Sequence, residues 1–346
     1  MPINLFARLM REREIKLARR DTNRRILPFD WGLPLLAPHV NGDDPRHILR
    51  AIALEAFQKS DQFFALPPID DFRFDGETLL WTSAITTPER ENNTARARFF
   101  APHRKREDDT KRAVLVLPQW NADEHSHVEL CRLLNRFGVA ALRLTLPYHE
   151  ARRPSWMERA DYLVSANIGR TLLSMRQAVV DARAAVHWLS EHAGFDQIGI
   201  VGSSVGSCTA FLAFVHDERI KTGVFNHVSS YFADVVWRGI STAHVRAGFA
   251  DEVSLEELRV YWLPISPLPY AARLAKRRDR RPFRFIAARY DLTFPPDLSQ
   301  QMIAETLRHG LRLDVAWLPC GHYTSGERPW KYLDGWKIAS FLLRNL

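Results

Sequence analysis

The chain has 346 residues, of which 46% are hydrophobic and 25% are charged. This composition is typical of a globular protein with one large domain or two modest ones, and no apolar run approaches the ~18–20 residues of a membrane-spanning helix. The cysteines are few, widely separated and odd in number, which argues against a disulfide framework or a zinc site and favours a reducing, cytoplasmic location. They are Cys131, Cys208 and Cys320.

Positive charge is concentrated in two segments of the chain. The net charge is +8, to which residues 1–25 contribute +5 and residues 273–284 contribute +6, so the remainder is slightly acidic. Such basic runs usually form a solvated face, and the alternatives are a patch that binds a membrane surface or one that attracts an anionic substrate. Nucleic-acid binding is not expected, because no nucleic-acid-binding motif accompanies the charge. Charged residues also interrupt every apolar stretch near the N-terminus, so no secretory signal peptide is expected there.

The first third of the chain predicts an extension followed by the edge of a sheet. Residues 1–75 are helical in pattern and punctuated by proline, and residues 78–86 and 95–100 predict two antiparallel strands. Short apolar strands then alternate with helices, which is typical of parallel pairing in a doubly wound α/β sheet. The predicted strands are 113–117, 139–146, 197–202, 222–228, 283–288 and 311–318, and the helices are 125–137, 169–192, 205–217, 297–309 and 329–345.

One insertion interrupts this series of strands and helices. Residues 230–281 contain helix-like stretches, one over about 231–249 and another that begins at Ser254, with Glu257 completing a capping box. We expect this insertion to form a cap over the carboxyl ends of the strands. The predicted organisation is therefore an N-terminal extension packed on a single α/β domain that spans residues 76–346.

A glycine-flanked serine lies between a predicted strand and the helix that follows it. Gly202-Ser203-Ser204-Val205-Gly206 matches G-x-S-x-G, in which small flanking residues allow close backbone approach around a strained strand-to-helix turn. The helix that follows places the positive end of its dipole beside negative charge that develops during a reaction. This context predicts Ser204 as a nucleophile. Ser203 is not in register, because no glycine lies two residues before it.

A serine nucleophile needs a general base, and the base needs an orienting carboxylate. Asp291 follows the predicted strand 283–288, and His322 follows the strand 311–318, so both lie where strand ends meet. The competing acids are Asp234, just past an earlier strand, and Asp297, which we expect to cap its helix. The best rival base is His227, which also lies at a strand end.

The strand-to-helix turn at Gly202–Gly206 is called the elbow below. Together with Asp291 and His322, each after a predicted strand, it makes the sequence resemble the α/β-hydrolase superfamily over roughly residues 78–346. This resemblance implies that Ser204 forms an acyl-enzyme, that His322 transfers the proton and that Asp291 holds the imidazole. It also implies an oxyanion hole made from the backbone N–H of Val205 and a second N–H from Trp120, with Gln119 as the alternative, although the usual His-Gly pair is missing here. The segments FDWGLP and LPYHEARRP resemble a branch of abhydrolase-domain proteins, which suggests no particular substrate.

Three further clusters have polar or aromatic side chains near the predicted site. Asp123, His125 and His127 have a spacing that metal sites sometimes use, but pocket lining or helix capping is the favoured interpretation. Arg152 and Arg153 follow a strand and are candidates to bind a substrate carboxylate or phosphate, against a solvated loop as the simpler alternative. The aromatic residues of the cap predict either an apolar substrate pocket or the core of the cap itself. They are Tyr231, Phe232, Trp237, Tyr261 and Trp262.

The favoured hypothesis is an esterase or lipase-like enzyme that cleaves a carboxylic ester without a cofactor or metal. Thioesterase, amidase or peptidase activity on the same residues is an alternative, because all of these reactions use the same triad. A further alternative is a lipid-directed hydrolase that contacts membranes through its basic N-terminus, and another is a non-catalytic binding protein that keeps the fold. The expected ligand is a small-molecule or lipid ester, and the sequence leaves the oligomeric state open.

Overall fold

The computed structural model describes residues 5–38, 44–103 and 110–346. Its centre is a nine-stranded sheet in the order β1-β2-β3-β5-β4-β6-β7-β8-β9. The strands from β5 across to β9 run parallel, whereas β1, β2 and β3 pair antiparallel and join the sheet at β5. The strands are β1 (Arg73–Phe74), β2 (Thr78–Thr82), β3 (Thr94–Phe100), β4 (Arg112–Leu117), β5 (Ala140–Thr145), β6 (Gln197–Ser203), β7 (Ile220–Asn226), β8 (Phe283–Ala288) and β9 (Leu313–Leu318).

Helices cover both faces of this sheet, as the alternation of strands and helices predicts. They are α1 (Leu5–Ala18), α2 (Leu33–Leu36), α3 (Pro45–Gln58), α4 (Ser60–Phe63), α5 (Val128–Arg136), α6 (Ile168–His187), α7 (Val205–His216), α8 (Phe232–Arg238), α9 (Ala243–Phe249), α10 (Leu255–Tyr261), α11 (Pro269–Lys276), α12 (Pro296–Arg308) and α13 (Trp330–Asn345).

The central strands are buried on both sides, because successive side chains of a strand point to opposite faces. In β4, Leu115 and Leu117 belong to the larger core cluster, which α6 and α7 cover, and Val114 and Val116 belong to the cluster under α5 and α13. This explains why β4 has a continuous apolar sequence rather than an alternating one. The predicted α/β fold class is confirmed, with a doubly wound and mostly parallel sheet.

The predicted antiparallel edge is present, but its first strand is shorter than expected. The sequence predicts a strand over 78–86, whereas β2 ends at Thr82. The reason is that Ser83 turns inward, where its hydroxyl donates a 2.7 Å hydrogen bond to the buried Asp181. The short strand β1, which the sequence did not predict, pairs with the outer side of β2.

The chain between β7 and β8 forms helices α8 to α11. The single helix predicted over 231–249 is two helices, because α8 ends at Arg238 and the N–H of Ile240 donates to the carbonyl of Leu292 before α9 begins. The predicted capping box is present: the Ser254 hydroxyl accepts from Glu257 N–H, and the Glu257 carboxylate accepts from Ser254 N–H. Residues of this insertion reach the carboxyl ends of the central strands, where they line a cavity described below.

The second basic segment stabilises the fold through paired arginines. Arg273 and Arg277 both contact Asp61, and Arg284 lies 2.7 Å from Asp314. Arg281 pairs with Asp279, and it also donates to three backbone carbonyls, which are those of Phe214, Asp217 and Ile220. These four arginines therefore have internal partners. In the part of the chain that the structure describes, no helix is both long and apolar enough to cross a bilayer.

Candidate active site

The serine that the sequence singles out lies in a strained turn at the end of β6. Ser204 has φ 57° and ψ −122°, a backbone conformation that non-glycine residues rarely adopt and that costs about 1–3 kcal/mol. Its N–H donates to the carbonyl of Asn226 on β7, at 2.9 Å. The turn also needs its glycines, because a Cβ on Gly202 would overlap the carbonyl of Gly206. The surrounding structure thus holds the Ser204 side chain at the carboxyl edge of the sheet.

Asp291 and His322 meet at the same edge, as the predicted strand ends require. The Oδ2 atom of Asp291 lies 3.0 Å from Nδ1 of His322. The other carboxylate oxygen accepts two backbone N–H groups, from Thr293 at 2.8 Å and Phe294 at 2.6 Å. The Phe294 ring stacks on His322 at 5.1 Å, with an interplanar angle of 4°. The imidazole is therefore held in one orientation by a hydrogen bond on its edge and an aromatic ring on its face.

The charge state of Asp291 follows from its surroundings. Burial by itself would raise the pKa of this carboxyl, but the charges and hydrogen bonds of His322 and His227 hold the pKa well below its usual range. Asp291 is therefore ionised at neutral pH. Among the described residues, neither the Ser204 hydroxyl nor Nε2 of His322 has a hydrogen-bond partner, and both residues line one open cleft of about 1340 Å³.

Ser204 also borders a second, smaller and mainly apolar cavity of about 50 Å³. Tyr231 and Phe232, two of the predicted pocket residues, contribute to its wall. Trp237, the third predicted pocket residue of this insertion, lines neither cavity. Its ring stacks on Phe249 at 6.2 Å and lies under the guanidinium of Arg246, so it belongs to the packing of the α8–α9 region. The structure thus uses the aromatic residues of this insertion in both of the ways that the sequence allowed.

The loop after β4 lies against the elbow. A Cβ on Gly206 would clash with the carbonyls of Leu117 and Pro118, so the glycine permits the close approach of this loop to the start of α7. Trp120 borders both cavities, and its indole N–H donates to the carbonyl of Ala160 at 2.8 Å. Among the described residues, no acceptor contacts the backbone N–H groups of Trp120 and Val205.

Gln119 and the histidines that follow it line the large cleft. The Gln119 side chain donates a long 3.4 Å hydrogen bond to the hydroxyl of Ser126. Asp123 accepts from the backbone N–H groups of His125 and Ser126, so it stabilises the turn before α5 and does not cap the helix, whose N-cap residue is His127. His127 lies 2.9 Å from the Ser203 hydroxyl through Nε2. Burial lowers the pKa of His127 to about 4, and Arg143 adds to this effect, so this imidazole is neutral at pH 7.

A second histidine contacts the carboxylate of Asp291. His227, the rival base in the sequence, places Nδ1 2.9 Å from the same Oδ2 atom that His322 contacts. Among the described residues, His227, Asp291 and His322 form the one group with three ligand-type atoms within 4.8 Å of one another. Their spacing is explained by two N–H donors that share one acceptor oxygen, so we assign no metal to them.

The N-terminal helix supplies a contact to this site that the sequence did not indicate. Glu14 is fully buried, and its carboxylate accepts the backbone N–H groups of Tyr323 at 3.0 Å and Thr324 at 2.7 Å. A Cβ on Gly321 would lie 2.5 Å from Cγ of Glu14, so the loop that carries His322 packs directly on this side chain. The charge pattern of residues 1–25 suggested a solvated segment, and no local signal distinguishes Glu14 from its exposed neighbours.

Arg152 corrects one of the predictions. Its side chain is completely buried and lies 2.8 Å from Asp181, and it donates to the carbonyls of Asn92 and Thr145. It therefore stabilises the interior and is out of reach of a substrate. Arg153, in contrast, is exposed and lines the large cleft. The two neighbours differ because Arg152 belongs to a short 3-10 turn whose inner side faces α6.

We expect the Arg152→Met variant to lower the free energy of unfolding by about 3–5 kcal/mol, since it leaves a buried carboxylate without its partner. Burial raises the pKa of Asp181 even with Arg152 beside it. Urea unfolding at pH 7 measures the effect, with Arg153→Met as the matched control, expected within about 0.5 kcal/mol of wild type. Equal stabilities for the two variants would contradict a structural role for Arg152.

The competing acids are bound elsewhere. Asp234 forms a two-pronged ion pair with Arg259, at 2.6 and 2.9 Å. Asp297 forms a similar pair with Arg238, at 2.7 and 2.9 Å. Asp291 is therefore the carboxylate that contacts His322. Asp297 lies in the first turn of α12, where backbone N–H groups of that turn also interact with its carboxylate, as expected of a residue at the helix start.

Comparison with known proteins agrees with this arrangement of elements. The family model described as "Alpha/beta hydrolase domain containing 18" matches residues 83–229. No curated protein matches the chain. Among solved structures, the chain is similar to the acylaminoacyl peptidase of Pyrococcus horikoshii, with a TM-score of 0.57 and 15% identity over 88% of this chain and 44% of that one.

Two further solved structures show the same fold. Dipeptidyl peptidase 4 of Porphyromonas gingivalis has a TM-score of 0.57 and 15% identity, over 81% of this chain and 36% of that one. The Pyrococcus furiosus esterase Pf2001 has a TM-score of 0.52 and 16% identity, over 81% of this chain and 99% of that one. The chain spans less than half the length of either peptidase, whereas it spans nearly all of the esterase. With its sheet order, its strained turn at Ser204 and these likenesses, the chain has the α/β-hydrolase fold, and residues 83–229 match a family model of that kind.

Proposed function

We propose that this protein is a serine hydrolase that cleaves a carboxylic ester through an acyl-enzyme, with Ser204 as nucleophile, His322 as base and Asp291 as orienting acid. The observation that carries the proposal is the Nδ1–Oδ2 hydrogen bond between His322 and Asp291, since Nε2 of His322 then faces the cleft that Ser204 borders with no partner among the residues that the structure describes. Hydrogen bonds of a catalytic site often shorten only when substrate binds, so the absence of a Ser204–His322 bond does not oppose this role.

The proposed reaction begins when Oγ of Ser204 attacks the ester carbonyl carbon and His322 takes the hydroxyl proton at Nε2. The carbonyl π electrons move to oxygen, and the oxyanion then collapses and breaks the bond to the alkoxy group. That group takes the proton from His322 and leaves as an alcohol. Water repeats the sequence on the acyl-enzyme, which releases the carboxylic acid and restores Ser204.

The oxyanion is proposed to bind the backbone N–H groups of Val205 and Trp120. Two features support this choice. The first is that Gly206 allows the loop after β4 to approach the elbow. The second is that Trp120 is held in place by its indole hydrogen bond and by stacking on His244 at 5.8 Å. Donors held in place before reaction stabilise developing charge without reorganisation, and each is worth about 3–4 kcal/mol. Gln119 remains the alternative donor.

The two cavities at Ser204 suggest how an ester is divided. The small cavity is apolar and suits the acyl group, with walls that include Val205, Cys208 and Phe232. The large cleft is more polar and suits the alcohol group, and Arg153 at its side is a candidate to bind a negative charge there. Esters, thioesters and amides differ in the leaving group, and the same proposed triad could cleave each of them.

A fluorophosphonate probe tests the proposed nucleophile. We expect the wild-type protein to be labelled at Ser204, and we expect Ser204→Ala to remove both the labelling and the turnover of p-nitrophenyl esters, because the attacking oxygen is gone. Mass spectrometry of the labelled peptide identifies the modified residue. Ser203→Ala is the matched control, as its hydroxyl lies next in sequence but bonds to His127. Full labelling of Ser204→Ala would refute the assignment, and a silent broad ester panel without labelling would favour a binding protein.

A lipid ester is the second candidate substrate. Leu5 and Leu9 are exposed on α1, on a helix that also carries Arg8 and Arg11, so an apolar surface lies beside positive charge. The same ester panel, presented both in solution and in anionic vesicles, separates the two candidates. Faster, salt-sensitive turnover of the vesicle-bound ester would favour the lipid substrate.

A further inference from the structure

Asp291 holds two imidazoles rather than one. Nδ1 of His227 and Nδ1 of His322 lie 2.9 and 3.0 Å from the same oxygen, Oδ2. The two ring centroids are 4.3 Å apart. His227 directly follows β7, has φ 58°, and exposes only 4% of its surface. A buried histidine in a left-handed backbone conformation, bonded to the proposed catalytic acid, calls for a functional explanation.

The hydrogen bonds around His227 define its protonation state. Nε2 of His227 lies 3.2 Å from Oγ of Ser325. That hydroxyl donates its single proton to the backbone carbonyl of His322, at 2.7 Å, and a carbonyl can only accept. Oγ of Ser325 therefore accepts from Nε2 of His227. Since Nδ1 faces an ionised carboxylate, both ring nitrogens of His227 carry protons, which is the imidazolium form.

Three acidic residues from separate elements face His227 and favour the imidazolium form. Burial by itself would lower the pKa of His227, but the hydrogen bond and charge of Asp291, with Asp334 on α13 and Glu14 on α1, raise it. The opposing positive group is His322, which would repel His227 when both are protonated. Burial also raises the pKa of Asp334 to about 6, against the opposing charge of His227 and the hydrogen bond from Asn226.

We propose that His227 is a positioning residue whose fixed positive charge, shared through Asp291, keeps His322 neutral and able to accept a proton at lower pH than Asp291 alone would allow. The physical reason is that Asp291 stabilises a positive charge on His322, whereas an imidazolium on the same oxygen offsets that stabilisation. His227 does not touch the substrate in this scheme. The inference rests on the proposed role of His322 as base.

The pH dependence of kcat/KM tests the inference. In the His227→Gln variant the positive charge is absent, so His322 is expected to hold its proton up to a higher pH. We expect the acid limb of the profile to move up by about one pH unit, with the high-pH plateau changed by less than about tenfold. The control is His309→Gln, which removes a histidine that pairs with Glu305 on α12 and lines neither of the two cavities at Ser204. A plateau that falls while the acid limb stays in place would show a merely structural role and overturn the inference.

Two further measurements keep the test decisive if His227→Gln folds poorly. The His227→Lys variant restores a positive charge, and we expect it to return the acid limb toward wild type. In the wild-type protein, ¹⁵N chemical shifts of the imidazole nitrogens report protonation directly, and we expect His227 to remain an imidazolium at pH 7.5. A neutral His227 at that pH would refute the inference. A failure of the proposed function would give a different result: the His322→Ala variant would remain active, whatever the protonation state of His227.

Discussion

The His322→Ala variant is expected to lower kcat/KM for an activated ester by on the order of 10⁴- to 10⁶-fold, the loss that follows removal of a triad base. The reason is that a serine hydroxyl is a weak nucleophile at neutral pH without a partner to take its proton. Nε2 of His322 has no hydrogen-bond partner within residues 5–38, 44–103 and 110–346, whereas Nε2 of His227 bonds to Ser325. Steady-state kinetics at pH 8, with single-turnover controls for binding, measure the loss.

The double variant Ser204→Ala with His322→Ala sharpens this test. Residues that act as one unit are not additive, so we expect the double variant to be hardly worse than either single variant. His309→Ala serves as the control, since its imidazole lies just after α12 and pairs with Glu305. If His322→Ala kept most of its activity while His227→Ala lost it, the base would be His227 and the assignment of the two histidines would be reversed.

Replacement of Gly202 by alanine is expected to destabilise the fold by about 3 kcal/mol or more and to remove activity. The added Cβ would overlap the carbonyl of Gly206 and lie 2.8 Å from Cβ of Ala210, so the obstacle is mainly backbone. Relief requires that β6 and α7 separate, and this movement would displace Ser204 from its strained conformation. Urea unfolding and probe labelling together measure the two consequences.

Gly335 provides the matched control for this substitution. It lies within α13, its φ is not positive, and a Cβ added there would meet no described atom within 4 Å beyond the adjoining backbone of its own helix. Gly335→Ala should therefore stabilise the protein by about 0.5–1 kcal/mol, the ordinary gain of alanine over glycine in a helix. A Gly202→Ala variant as stable as Gly335→Ala would show that the elbow tolerates a side chain, and the close-approach explanation would be wrong.

Much of the proposed site could be predicted because it depends on local pattern and on one topological rule. Ser204, Asp291 and His322 each follow a strand with an apolar sequence, and the carboxyl ends of parallel strands share an edge. Their sequence order and strand-end positions were thus enough to place them together, even though Ser204 and His322 lie on opposite sides of 117 intervening residues. The elbow glycines are equally local, since they answer a steric need within five residues.

The substrate-side predictions were less accurate, because exposure depends on which element packs over a residue. Arg152 and Arg153 are adjacent and chemically identical, yet one pairs with the buried Asp181 and the other lines the cleft. Trp237 and Phe232 share one short helix, and they face different neighbours. Nothing within the local sequence distinguishes the members of either pair, since the difference comes from contacts with distant strands and helices.

The sequence by itself determined the doubly wound sheet, its antiparallel edge and the elbow serine. The hydrophobic period, the turn residues and the order of strands and helices along the chain can all be read without knowing which segments meet in space. Only the tertiary structure decided which charged residues contact the proposed site. It brings Glu14 to the loop of His322 across more than 300 residues, and it places His227 and His322 on one oxygen of Asp291. The physical reason is that electrostatic and hydrogen-bonding interactions act through space, whereas sequence pattern records only neighbours along the chain.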